Sequence, residues 1–355
     1  MAKRESGLTG RYTTTRLLMV TGAGVVLAMA AWLMNAGLVS VITPIVMYIA
    51  LAEGWTILGG YGGYLNLGMV TFFGIGGLAA GVATNSWHAA VIPAILFGML
   101  ASGISGLLVG VVSLNLRGAY FGIFTFVSSF IFMAIADTVS FTNGAGGMML
   151  PAIAVSEDNA TRIWFDAFVV VAVVAVALAL YIQHSRWGAA LVAIREDEPA
   201  AEVLGIRTMR VKLLAFLAGA VIAGAVGGIY AFQQQFIYPE TIFSDLITLQ
   251  VVLMAVAGGA GSWIGPIVGT LIVMGLSTLL QIGAGQMAIA PQIDRVIYGF
   301  ILIAVGLFAS DGLVGLIRRG SRHRRQRTPE QSEADHGSAG GPERSPEVGM
   351  SADGA

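Results

Sequence analysis

Along this chain, apolar runs of about twenty residues alternate with short polar or glycine-rich breaks. The runs fall at 17–36, 40–58, 66–84, 89–113, 118–138, 163–183, 212–232, 245–258, 264–282 and 293–310. A bilayer core takes about 20 residues of helix, so most of these runs are long enough to cross it. In hydrocarbon a backbone must satisfy its own hydrogen bonds, which makes each run a helix. Two runs read differently. The 245–258 run is short for a crossing and reads as a span or a re-entrant piece, and the 66–84 run is rich in glycine and reads as broken. The pattern predicts an all-α polytopic membrane protein with about ten transmembrane helices. It divides into a cytosolic N-terminus (1–16), a transmembrane domain (17–310) and a tail (311–355).

Composition supports that class. Of 355 residues, 56% are hydrophobic and only 11% are charged, against about 25% charged in a soluble domain. The first apolar stretch is long enough to span, and no clear cleavage site follows it, so it reads as a helix rather than a signal peptide. The absence of cysteine excludes disulfides, thiolate metal sites and a cysteine nucleophile. The four histidines are scattered and offer no metal spacing. No Ser/His/Asp or paired-carboxylate arrangement reads as catalytic, and no phosphate-binding GxxxxGK[ST] loop occurs.

The one long polar interruption inside the apolar region, His184 to Lys212, is the most informative segment. It holds Arg186, Arg195, Arg207, Arg210 and Lys212 beside Glu196, Asp197, Glu198 and Glu202. Each charge costs about 2.5–3.5 kcal/mol at mid-membrane, so the segment lies in water. A helix-prone aqueous loop on a many-spanning protein is a handle for a soluble partner.

Charge placement sets the orientation. With the N-terminus in the cytosol, Lys3, Arg4, Arg11, Arg16, Arg117, the basic residues of 184–212 and the Arg318–Arg327 tail all fall inside. Glu157, Asp158, Asp166, Glu240, Asp245 and Asp294 fall outside, with Arg162 and Arg295. The positive-inside rule therefore predicts that both termini are cytosolic. The tail opens basic and continues polar, which predicts disorder and contact with anionic lipid rather than nucleic acid.

Several motifs mark candidate sites. Gly59–Gly63, Tyr64, Leu65, Asn66, Leu67 and Gly68 lead into Phe72-Phe73-Gly74-Ile75-Gly76. This stretch reads either as a broken helix with Gly62, Gly63 and Asn66 facing a translocation path, or as close helix packing. Leu116 to Phe121 opens a helix, and its Arg117 also reads as a topology anchor. Thr142 to Gly147, with Gly144, is either part of an outer mouth or a plain connector. Ala257 to Pro266 is a glycine-rich break between two apolar runs. Glu53 lies inside the second run, where a carboxyl is either an ion site or a hydrogen-bonded packing residue. Asp137 lies near an interface and reads as solvated.

Taken in order, these motifs resemble the permease subunit of branched-chain amino-acid ABC importers, the M-type member of the pair. The resemblance runs from about Leu51 to Phe308 and is closest over Ser185 to Ile206; it also includes Tyr230 to Glu240. It implies a type II ABC importer-like fold and a short helix near Glu198–Gly205 that docks into a cytosolic ATPase. The coupling residues would be Arg195, Glu198, Ala200, Ala201, Glu202 and Gly205. The path candidates would be Glu53, Gly62, Gly63, Asn66, Phe121, Thr142 and Gly144. The physics of the loop agrees: Pro199 suits a first helical turn, Glu198 and Glu202 share a face, and Gly205 suits a helix end. The resemblance implies no cofactor on this chain, since ATP and magnesium would sit on the ATPase. The implied partners are a second, similar permease, two ATPase subunits and an extracytoplasmic binding protein, in a bacterial-type inner membrane. Tyr64, Asn66 and Met69 depart from the family's usual residues, and urea permeases share much of the pattern. The substrate reads as a branched-chain or other neutral amino acid, with urea or a short amide as the alternative. An ion-coupled transporter using Glu53 is the more distant reading.

Overall fold

The computed structural model describes residues 2–116, 118–139, 142 and 144–285. They belong to a unit that runs from Met1 to Val314. The unit Gly315–Ala355, the expected span 293–310, the expected tail, Arg117 and Asn143 lie outside the described residues.

Helices form where the apolar runs are unbroken. They are α1 (Ala2–Leu33), α2 (Ala36–Gly62), α3 (Met69–Trp87), α4 (Val91–Ser113), α5 (Ala119–Thr138) and α6 (Glu157–Gln183). The aqueous loop carries α7 (Arg186–Glu196) and α8 (Glu198–Val203). Then follow α9 (Thr208–Gln234), α10 (Pro239–Ile242), α11 (Asp245–Gly258) and α12 (Gly265–Gly285). A pair of two-residue strands, β1 (Met148–Met149) and β2 (Phe236–Ile237), joins antiparallel with Met148 opposite Ile237.

The chain is thus an all-α polytopic membrane protein. Among the described residues, eight helical stretches are long and apolar enough to cross a bilayer, from Thr14–Leu33 to Pro239–Gly258. The short 245–258 run gains its length from α10, which stands directly ahead of it, so 239–258 is one span of 20 residues. The apolar part of α12, Gly265–Thr278, is shorter than a full crossing. The break expected within 66–84 lies just ahead of the helix and not inside it. Gly63 ends α2 at φ +74°, and the chain stays non-helical until Met69.

Helix α9 is the central post, packed against α2, α3, α4 and α6. Glycine sets how close it comes. Gly76 of α3 lies on Gly224 of α9, and Gly227 lies against the carbonyl of Phe73, with no room for a Cβ at either contact. Small residues at such crossings let membrane helices gain packing energy that lipid does not provide. Helix α1 is peripheral: it packs on α6 and leaves Leu18, Met19, Val25, Val26 and Met29 exposed. At its end the Trp32 indole donates to Asp166 at 2.8 Å, and Arg162 donates to the Met34 carbonyl at 3.1 Å.

Successive connections alternate between two ends of the bundle. Tyr64, Leu114, Glu198 and Lys212 meet at one end, where Gln183 also bonds Gly261 and Trp263. Trp32, Asp166, Asn85, β1 and β2 meet at the other. The first is called the basic end below and the second the acidic end.

Candidate translocation and coupling site

At the basic end the aqueous loop is built by local caps. Ser185 accepts from the backbone N–H of Trp187 and Gly188 and starts α7. Asp197 accepts from the Ala200 N–H at 3.0 Å and starts α8, with Pro199 in the first turn. Gly205, at φ +84°, turns the chain toward α9. A side-chain acceptor at the N-cap and a left-handed glycine past the end let six residues hold a helix that is too short to be stable alone.

The loop grips the membrane helices on its inner side. The stem of Arg195 lies over Gly63, and its Nη1 donates to the Gly60 carbonyl at 3.3 Å. Glu198 is turned inward. Its Oε1 pairs with Lys212 Nζ at 2.5 Å, and its Oε2 accepts from the Tyr64 hydroxyl at 2.7 Å. Lys212 also donates to Tyr64 Oη at 3.1 Å and to the Leu114 carbonyl at 3.2 Å. Ala201 is buried, and Glu202 accepts from the Thr208 hydroxyl at 2.7 Å. Ala200 and Gly205 face outward. So do Val203 and Leu204, at 89% and 79% exposure. Sequence reasoning did not single out these two. Val203 is two helical positions beyond the buried Ala201 and so turns away from it, whereas Leu204 is the C-cap just past the helix; nothing local in the sequence marks which side faces out.

From Gly63 the chain folds back along α2. The indole of Trp55, two turns before the end of α2, donates to the Asn66 carbonyl at 2.7 Å. Asn66 is buried, and its Oδ1 accepts from the Gly68 N–H at 2.9 Å, which braces the start of α3. Thr125 of α5 accepts from the Leu67 N–H, and Thr248 of α11 accepts from the Val70 N–H. Thr71 and Ser128 lie 3.3 Å apart, and Ser129 reaches Asp245 at 3.4 Å. A non-helical segment at membrane depth is tolerated where protein groups satisfy it. Trp55, Thr125 and the Asn66 side chain do this for the Asn66 carbonyl and the N–H groups of Leu67 and Gly68.

The family model described as "Branched-chain amino acid transport system / permease component" matches residues 37–306. The chain belongs to this permease family. It is 25% identical to the high-affinity branched-chain amino acid transport system permease protein LivM of Escherichia coli, over 86% of this chain and 77% of that protein. The LivM protein of Salmonella typhimurium is 25% identical over 81% and 73%. The corresponding LivH protein of that organism is 29% identical over 51% of this chain and 60% of its own length. No solved structure matches.

The match to the permease family begins at Gly37, so it leaves out α1, the least buried span. Within the permease, Gly62, Gly63, Asn66 and Phe121 come together. Gly62 lies under Leu191 and Tyr64. Phe121 is fully buried, edge-on to Tyr64 with ring centroids 5.3 Å apart and 6.2 Å from Phe216. Thr142 and Gly144 are far from that cluster, at the acidic end. Thr142 donates to backbone carbonyls of the preceding turn, and Gly144 takes φ +55° against the Asp137 carbonyl. Thr142 also lines a cavity of about 530 Å³ with Leu78, Trp87, Phe97, Phe132 and Phe243. Glu53 belongs to neither group. It is fully buried in α2, and neither carboxyl oxygen has a hydrogen-bond partner among the described residues. Trp55, Thr125 and Thr248 carry no local signal in the sequence, because their partners Asn66, Leu67 and Val70 lie 11 to 178 positions away along the chain.

Proposed function

We propose that this permease is the membrane-spanning subunit of an ATP-driven importer of branched-chain or other neutral amino acids. It pairs with a second, similar permease and with two cytosolic ATPases that carry ATP and magnesium, and it receives substrate from an extracytoplasmic binding protein. The chain sits in a bacterial-type inner membrane with the basic end and both termini in the cytosol; the basic residues of the 184–212 loop support this orientation. The LivM proteins of Escherichia coli and Salmonella typhimurium are named for branched-chain amino acid transport, which supports the substrate class.

The observation that carries the reading is the Val203–Leu204 pair. Two large aliphatic side chains stand in water at the tip of a capped helix whose inner side is bolted to the membrane helices. Aliphatic side chains exposed on an aqueous loop suit burial in a partner's cleft. The chain itself carries no recognisable nucleotide-binding loop, so hydrolysis belongs to that partner.

The cavity at the acidic end is lined almost wholly by apolar side chains, which suits the side chain of an aliphatic amino acid; its charged ends, like the polar groups of urea, would need partners outside this lining. The test is uptake of labelled leucine and of labelled urea in cells with and without the gene, before and after ATP depletion. Loss of ATP-dependent leucine uptake on deletion is the expected result; loss of urea uptake alone would reassign the substrate.

A further inference from the structure

Four stretches distant in sequence converge on one buried ion pair at the basic end. Lys212 and Glu198 keep only 5% and 14% of their side chains exposed. Around them stand the Tyr64 hydroxyl, bonded to both, and the Leu114 carbonyl at the end of α4. The ammonium also lies 4.9 Å from the centre of the Tyr64 ring. That ring rests edge-on against Phe121 in the first turn of α5. Thus α8, α9, the end of α4 and the segment from Gly63 to Gly68 meet at this pair, and α5 meets it only through the Tyr64 ring.

We infer that Tyr64 is the joint through which movement of α8 reaches the segment Gly63–Gly68, and that the Glu198–Lys212 pair couples α8 to that joint. The inference rests on the function proposed above. The first reason is the linkage. Glu198 opens α8, and Val203 and Leu204 close it, so the exposed tip and the buried anchor belong to one short rigid body. Asp197 caps that body, and Gly205, past its end, donates its N–H back to the Glu202 carbonyl at 2.9 Å and has open space on its outer side. A partner that displaces the tip therefore displaces Glu198.

The second reason is what lies beyond the joint. Tyr64 is two residues from Asn66, whose carbonyl is held by Trp55 and whose side chain braces the start of α3. A shift at Tyr64 pulls on the only described non-helical backbone between α2 and α3, beside the polar seam of Thr125, Ser128 and Thr248. The third reason is energetic. A buried ion pair seldom stabilises a fold more than apolar residues of the same size. Its advantage is a specific, directional attachment, and here the attached group is a hydroxyl on a ring packed edge-on against Phe121. Tyr64 is thus a positioning residue for transport, acting through the segment that follows it.

The test uses the whole reconstituted complex in vesicles, with ATP hydrolysed and leucine imported measured together. Tyr64→Phe keeps the ring and removes only the oxygen. The expected result is continued hydrolysis with leucine moved per ATP reduced about tenfold, within the range of coupling between two linked sites. An unchanged ratio overturns the joint. A second measurement stands even if Tyr64→Phe fails to insert. The chain has no cysteine, so Leu65→Cys gives this subunit a single label position beside the joint. Its reaction with a water-soluble maleimide is expected to differ about fivefold between nucleotide-free and vanadate-trapped complexes. Equal rates overturn the joint. If the wild-type complex imports no leucine with ATP, the proposed function falls and the joint with it. If it imports leucine and the variant keeps its ratio, only the joint falls.

Discussion

Gly63 and Glu53 show how single residues serve this fold in opposite ways. Gly63 stands at φ +74°, where an L side chain is strained, and a Cβ there would meet Arg195 Cγ at 2.5 Å. Gly63→Ala is expected to lower stability by about 1–3 kcal/mol, read as a lower melting temperature of the detergent-purified protein. Loss of the Arg195 contact with Gly60 should accompany it. Glu53 is the reverse case, a polar group placed where nothing described receives it. An ion-coupled transporter would need its carboxyl, and an ATP-driven one would not. Glu53→Gln is therefore expected to keep ATP-driven leucine uptake in vesicles that hold no proton or sodium gradient. Loss of uptake in that variant, with the protein still inserted, would return Glu53 to the mechanism.

At the scale of elements, α8 and the segment Gly63–Gly68 are two pieces that depart from plain spanning helices and meet each other. In α8 the sequence already indicates both ends, through Asp197, Pro199 and Gly205. It does not indicate which side faces out. The structure turns Glu198 and Ala201 inward and Val203 and Leu204 outward, so the proposed docking surface carries two large aliphatic side chains beside the exposed acids. Val203→Ala with Leu204→Ala is expected to weaken ATPase binding by about 2 kcal/mol or more, the size of an interface hot spot. Co-purification of the ATPase from solubilised membranes would measure it, and full recovery would place the contact elsewhere. In the segment Gly63–Gly68, Trp55→Phe removes the donor to the Asn66 carbonyl while keeping an aromatic ring. A buried carbonyl left without a partner costs about 1–3 kcal/mol. Slower leucine uptake at unchanged protein level is expected, and unchanged uptake would remove Trp55 from the support of this segment.

At the scale of the molecule, the alternation of connections between two ends follows from an unbroken series of crossings. The basic loop lies at the same end as Tyr64, Leu114 and Trp263, and Asn85, Asp166 and β1 lie at the other. Because the chain has no cysteine, single cysteines report each end without background. Asp197→Cys and Ser262→Cys are expected to react with an impermeant thiol reagent only in inverted vesicles, and Asn85→Cys and Ser156→Cys only in intact cells. The opposite pattern would reverse the orientation and remove the loop from contact with any cytosolic ATPase. Family membership fits this scale of description, because the match covers residues 37–306 and so nearly all of the packed bundle.

The amino-acid sequence alone determined the membrane class, the spans up to α11 to within a few residues and the capped helix in the aqueous loop. Each of these rests on local physics: the transfer of apolar runs into lipid, and hydrogen bonds between neighbours in the chain. It also marked the glycine-rich stretch after α2 as a break, although the break falls at Gly63–Gly68 rather than inside the next helix. Only the tertiary structure decided where the functional side chains point. Tyr64 meets Glu198 across 134 positions, and Val70 meets Thr248 across 178. Thr142 joins Phe243 and Trp87 around a cavity that none of them marks in sequence. Hydrophobicity and capping act over one turn of chain, whereas a buried polar group takes whatever partner the packing of distant helices brings within 3 Å.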